Sequence, residues 1–169
     1  MVFGTTSGGR AQVMVTATLV AMLTAACGPG SSSPRDTPPD SGVVATKSAP
    51  NPVRHDLEPL TKRYTALGTP ASASWVSGTM GDPRVPGPSR YWLDSVITLT
   101  PATVHDLKAR YQPVRSTAQP EVWPTLTGEL PSGGYLTSDA LDAAFSNEIR
   151  SRVLLAEQAP VVVITSVGE

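Results

Sequence analysis

Arg90-Tyr-Trp-Leu-Asp-Ser-Val-Ile-Thr-Leu-Thr100 is the stretch whose reading decides the fold. Its large residues alternate with a period of two. Tyr91, Leu93, Ile97 and Leu99 share one face, and Trp92, Asp94, Val96 and Thr98 share the other. Aromatic and β-branched residues in that pattern predict a strand. Residues 71–80, with Trp75 and Val76, read as a second strand. Between the two, residues 81–89 hold three prolines and two glycines, too many for regular structure. The expectation is a hairpin with a long, stiff loop.

Downstream, Thr100 is a good helix N-cap and Pro101 is pre-set for the first helical position. Val104, Leu107 and Tyr111 form the apolar stripe of that helix, and Gln112-Pro113 ends it. Residues 114–136 read as a long connection, with Pro120, Pro124, Pro131 and a Ser132-Gly133-Gly134 turn, and with a short helical piece over 122–129. Ser138 and Asp139 cap a further helix that turns Leu141, Ala144 and Phe145 inward, and Asn147 is expected at its left-handed end. Residues 149–156 and 161–167 are strands joined by the turn 157–160. The run Val161-Val-Val-Ile164 does not alternate, so that strand is expected to be buried on both faces or central in a sheet. Upstream, Leu57, Leu60, Tyr64 and Leu67 recur at helical spacing between Asp56, a candidate cap, and Gly68, a candidate terminator. The order helix, hairpin, helix, loop, helix, hairpin predicts an α+β domain over 53–169, a mainly antiparallel sheet of about four strands with helices on one face.

The residues before that domain have another composition. Of the 25 residues 28–52, 14 are Gly, Pro or Ser, and Val43-Val44 is the one adjacent pair of large apolar residues. Such a stretch buries too little surface to offset chain entropy, so 27–52 is expected to be a disordered tether with a reach of roughly 25–30 Å. Residues 11–26 are uncharged and mostly apolar, behind an N-terminal region carrying Arg10. This is the pattern of a cleaved export signal over 1–26. The sole cysteine, Cys27, stands at the seam.

Leu23-Thr-Ala-Ala-Cys27 resembles the lipobox of bacterial lipoproteins. Ala25 and Ala26 match its small residues, while Thr24 stands where the family usually has Leu. The resemblance covers residues 1–27. It implies cleavage between Ala26 and Cys27, a diacylglyceryl group on the Cys27 sulfur, and a chain held by the lipid bilayer on the extracytoplasmic face of the cell membrane. Two acyl chains give stable anchoring where one gives only reversible binding.

The net charge of −1 offers no basic excess for nucleic acid, and none is expected as a partner. The chain has two histidines, each followed by Asp (His55-Asp56 and His105-Asp106); on a helix the members of each pair would point apart, and no ligand set for a metal is expected. No Gly-x-Ser-x-Gly elbow, phosphate loop or dinucleotide fingerprint occurs, and no cofactor is expected. Trp75 and Trp123 read as core anchors. The candidate binding residues are Arg84, Arg90, Tyr91 and Trp92, which set guanidinium groups beside aromatic rings on a proline-braced loop. The expectation is a non-catalytic module that binds an envelope protein, a glycan or a wall component through the 82–92 loop or the 112–136 loop. The alternatives are a small envelope hydrolase using carboxylates, for which Asp82 and Asp94 are the candidates, or a scaffold without ligand.

Overall fold

Among the described residues, nine regular elements follow the order read from the sequence, with two strands added. They are α1 (Glu58–Arg63), β1 (Ser72–Met80), β2 (Arg90–Thr98), α2 (Pro101–Tyr111), β3 (Val114–Ser116), β4 (Tyr135–Thr137), α3 (Asp139–Ala144), β5 (Ile149–Ala156) and β6 (Val161–Gly168). Short 3-10 turns lie at Thr65–Leu67 and Pro124–Glu129. The structure, a computed structural model, describes residues 46–81, 84 and 90–168. The expected signal, Cys27 and most of the expected tether lie outside the described residues.

The six strands form one antiparallel sheet in the order β1-β2-β6-β5-β4-β3. The domain is therefore α+β, as expected, but with six strands rather than about four. The added pair, β3 and β4, comes from the stretch expected to be a long connection. Each is three residues long, too short to display a period. β6 sits between β2 and β5, so its non-alternating apolar run is buried on both faces.

Each face of the sheet carries its own core. On one face, Leu93, Ile97, Val153, Leu155, Val162 and Ile164 pack under the helices, against Leu60, Tyr64, Leu107, Leu141 and Phe145. On the other, Val76, Trp92, Val96, Leu154 and Val163 pack under Leu126 of the second 3-10 turn and Trp123 just before it. The faces of β2 are those read from the sequence.

Local chemistry explains the helix ends. Thr100 Oγ1 accepts the Thr103 amide at 3.2 Å, and Ser138 Oγ accepts the Leu141 amide at 3.1 Å. Gln112 takes the left-handed C-cap of α2 at φ 43°. Two expected caps are corrected. Asp56 does not cap α1, because its carboxylate pairs with Arg54 instead. Asn147 does not provide a left-handed end for α3, which closes on Phe145 at φ −110°. The exposed lower edge of β5 is closed by α3 and the residues after it. Asp142 Oδ1 accepts the Val153 amide and Ser146 Oγ the Ser151 amide, both at 2.8 Å. Under the helices, Tyr64 hydroxyl, Ser166 Oγ and Ser151 Oγ form a buried chain with steps of 2.7 and 2.8 Å, ending on the Phe145 carbonyl. Burial pushes the Tyr64 phenol above its ordinary range and keeps it a neutral donor and acceptor.

Gly78 of β1 lies beneath the Trp92 indole. A Cβ there would stand 2.8 Å from Trp92 Nε1, and Trp92 is fully buried and has no room to move. Gly78→Ala is expected to destabilise the domain by about 1–3 kcal/mol through overpacking, measured by urea unfolding.

Candidate functional site

Residues 46–52, expected to belong to the disordered tether, lie along the outer edge of β1. The Ser48 amide donates to the Thr79 carbonyl at 3.0 Å and the Asn51 amide to the Ser77 carbonyl at 2.8 Å. Arg54 and Trp75 exchange both backbone bonds at 2.9 Å. This segment covers a sheet edge that would otherwise be open to pairing with other chains. Among the described residues, backbone bonds to β1 and to the residue after it therefore start at Thr46, whose carbonyl accepts the Gly81 amide at 3.0 Å.

Lys47 fastens the segment from the second face. Its Nζ sits 2.6 and 2.7 Å from the two carboxylate oxygens of Asp94, in the middle of β2. Asp94 is fully buried, and it also accepts the Trp123 amide at 2.8 Å. Lys47 Nζ lies 4.8 Å from the centre of the Trp92 ring, and Trp92 stacks on Trp123 with ring centres 5.0 Å apart. Burial pushes the Asp94 carboxyl above the usual carboxylate range, while Lys47 and the Trp123 amide pull it back by favouring the ion. A carboxylate so enclosed and so fully bonded holds structure and is not presented to a substrate. Asp82, its expected partner for carboxylate chemistry, lies outside the described residues.

On the helix face a cleft of about 520 Å³ opens between this edge segment, β1 and α1. Its cause is a mismatch of chain length. The segment touches β1 at Lys47↔Met80 and at Arg54↔Trp75. Residues 48–53 span the gap on one side and only 76–79 on the other, so the longer side bulges away. Pro50 and Pro52 lack the amide hydrogens that a regular ladder would use. Arginines lie over aromatic rings in the cleft wall. The Arg54 guanidinium is 4.3 Å from the centre of the Trp75 ring, and that of Arg63 is 5.3 Å from the Tyr91 ring. Arg63 Nη1 also donates to the Tyr91 hydroxyl at 3.0 Å. Arg54 is paired with Asp56 through Nε at 2.9 Å and through Nη2. The hydrogen bond from Arg54 holds the Asp56 carboxyl below its ordinary range. Trp75 itself is core, with Nε1 donating to the Asp56 carbonyl at 3.0 Å. A neighbouring cleft of about 430 Å³ shares Pro59 and Arg63 as its wall and reaches Asn147 and Glu148.

The residues singled out from the sequence meet different fates. Tyr91 is half-buried and lines the cleft, while Trp92 is buried on the opposite face. Strand alternation therefore separates the two rings that the sequence reading had grouped into one patch. Arg84 and Arg90 are exposed, and neither is without a partner. The rest of the 82–89 loop, like Ala26 and Cys27, lies outside the described residues. Sequence reasoning missed Arg54, Arg63 and Lys47. Arg54 and Lys47 reach β1 and β2 only by long-range pairing, which no local pattern announces. For Lys47 one signal existed: Asp94, flanked on its strand face by Trp92 and Val96, needs a counter-charge.

His55 Nδ1 is 3.0 Å from the Ala73 carbonyl, and His105 is exposed beside Asp106. Among the described residues no three His, Cys, Asp or Glu side chains converge. No described helix is long and apolar enough to cross a membrane. No protein family, no curated protein and no solved structure matches this chain.

Proposed function

We propose that this chain is a lipid-anchored domain of the cell envelope that works by binding, with the cleft between residues 46–54 and α1 as its recognition site. The anchor is acylated Cys27, exposed by cleavage after Ala26, and the site faces the extracytoplasmic side. The partner is an envelope protein or a glycan. One observation carries the binding reading: the cleft is walled by guanidinium groups laid on aromatic rings, a lining suited to recognition. The buried carboxylate among the described residues, Asp94, lies on the other side of the sheet and is occupied by Lys47.

Two experiments test this reading. Cys27→Ala is expected to abolish incorporation of labelled palmitate and to release the chain from the membrane fraction, with the far-ultraviolet circular dichroism unchanged. A variant that sediments with membranes like the wild type would overturn the anchor. For the site, a photo-crosslinking residue at Asn51, in the cleft, is compared in intact cells with one at Arg115, on the opposite edge of the sheet. A defined adduct at Asn51 and none at Arg115 is the expected result. Equal labelling, or none at Asn51, would remove the cleft as the recognition site.

A further inference from the structure

We propose that the cleft holds an anion, and that Arg63 binds the carboxylate or phosphate group of a ligand lying there. This rests on the reading of the domain as a binding module and specifies the chemistry of its ligand.

Arg63 differs from the other arginines among the described residues; of the lysines, Lys108 is likewise half-buried without a carboxylate, but it does not line the cleft. Arg54 is paired with Asp56, Lys62 with Glu58, Arg115 with Glu157, Arg152 with Asp142 and Lys47 with Asp94. Arg110 and Arg150 are exposed, where water solvates the charge. Arg63 is half-buried, and among the described residues no carboxylate pairs with it. Its contacts are the hydroxyl and ring of Tyr91. A guanidinium removed in part from water, without a counter-charge, is left under-solvated, and a bound anion would offset that cost.

The geometry is also prepared. Tyr91 accepts one of the five N–H donors and supports the plane of the fork, leaving the others for a two-pronged contact with a planar anion. β1 adds backbone donors. Trp75 turns both its amide and its carbonyl toward the 46–54 segment, and by alternation so do Ser77 and Thr79. Their carbonyls are taken by Asn51 and Ser48, but their amides have no acceptor among the described residues. Both residues line the cleft, and no described Asp or Glu does. The 520 Å³ cleft therefore offers donors and positive charge with no described carboxylate in its lining, while the adjoining cleft beyond Arg63 carries one, Glu148. With the adjoining cleft behind Arg63, there is room for a ligand larger than its anionic group.

The test follows ¹H–¹⁵N signals of the full chain in a nonionic detergent during titration with sodium phosphate or sodium succinate, with sodium chloride as the control. Saturable shifts are expected at the Ser77 and Thr79 amides and at Arg63 Nε–Hε. Arg63→Gln should weaken the response about 10-fold, the loss of one charged hydrogen-bonding group. Arg54→Gln should change it less than about 3-fold, because Arg54 is already paired. Nanodiscs of phosphatidylcholine with and without phosphatidylglycerol separate the sources. A response confined to phosphatidylglycerol assigns the anion to a lipid headgroup, and a response to the small anions assigns it to a soluble ligand. Shifts no larger than those with chloride in every arm, or an unaltered response in Arg63→Gln, would overturn the anion site. If that occurs while the crosslinker at Asn51 still yields its adduct, the binding module stands and only the anionic chemistry falls. If both fail, both readings fall.

Discussion

Lys47→Ala is expected to lower the unfolding free energy by about 3 kcal/mol, the low end of the range for stripping one partner from a buried ion pair. The low end applies because the Lys47 side chain is 28% exposed, whereas that of Asp94 is fully enclosed. Without Lys47 the carboxylate keeps a single donor, the Trp123 amide. The pH dependence has a definite sign. Burial already pushes this carboxyl up, and Lys47 is the larger of the two influences that lower it. Removing Lys47 raises the folded-state value further above the unfolded one, so the folded variant binds the proton more tightly than the unfolded chain does. The deficit of the variant relative to wild type should be largest at neutral pH. It should shrink as pH falls through the raised folded-state value of Asp94. Urea unfolding at pH 7 and at mildly acidic pH measures this, and a deficit that grows on acidification would refute the account. Asp94→Asn should be milder, at about 1–2 kcal/mol, since it keeps an acceptor for Trp123 and leaves a lysine that can turn to water. Lys47→Ala should also speed hydrogen exchange at Ser48 and Asn51, whose amides hold the edge segment to β1.

Trp92→Ala carries the largest expected loss, about 3–5 kcal/mol. Trp92 is fully buried on β2, between Gly78 on one side and the stacked Trp123 on the other. Truncation leaves a cavity in the second core and removes the ring on which both Trp123 and Lys47 rest. The loss therefore reaches two attachments far apart in sequence. Trp92→Phe provides the contrast. Trp92 Nε1 is buried without a hydrogen-bond partner among the described residues, so phenylalanine removes an unsatisfied donor along with some volume. Its cost is expected to be about 1 kcal/mol. Equal losses for Trp92→Ala and Trp92→Phe in urea unfolding would show that the indole acts through an interaction other than packing.

Much of the fold was legible because it is written in short-range periodicity. The two faces of β2, the capped helix α2, the central position of β6 and the stripe of Leu60, Tyr64 and Leu67 all follow from spacings within about a dozen residues. The candidate site was legible only in part. Tyr91 was picked out and lines the cleft, but its strand neighbour Trp92 was grouped with it although alternation sends the two to opposite faces. Arg63 was hidden on a helix whose apolar residues drew the reading, and its meaning depends on which strand that helix meets.

The sequence by itself determined the α+β class, the order of the longer elements and the side of β2 that each residue takes, because periodicity is a property of the local backbone. Tertiary structure alone decided that β3 and β4 join the sheet, since three residues carry no readable period. It also decided that residues 46–54 close the β1 edge and that Lys47 meets Asp94 across 47 positions. A proline-rich composition speaks for weak self-burial. It cannot say whether a partner edge and a buried counter-ion elsewhere in the chain will supply the hydrogen bonds and charge that the segment lacks on its own.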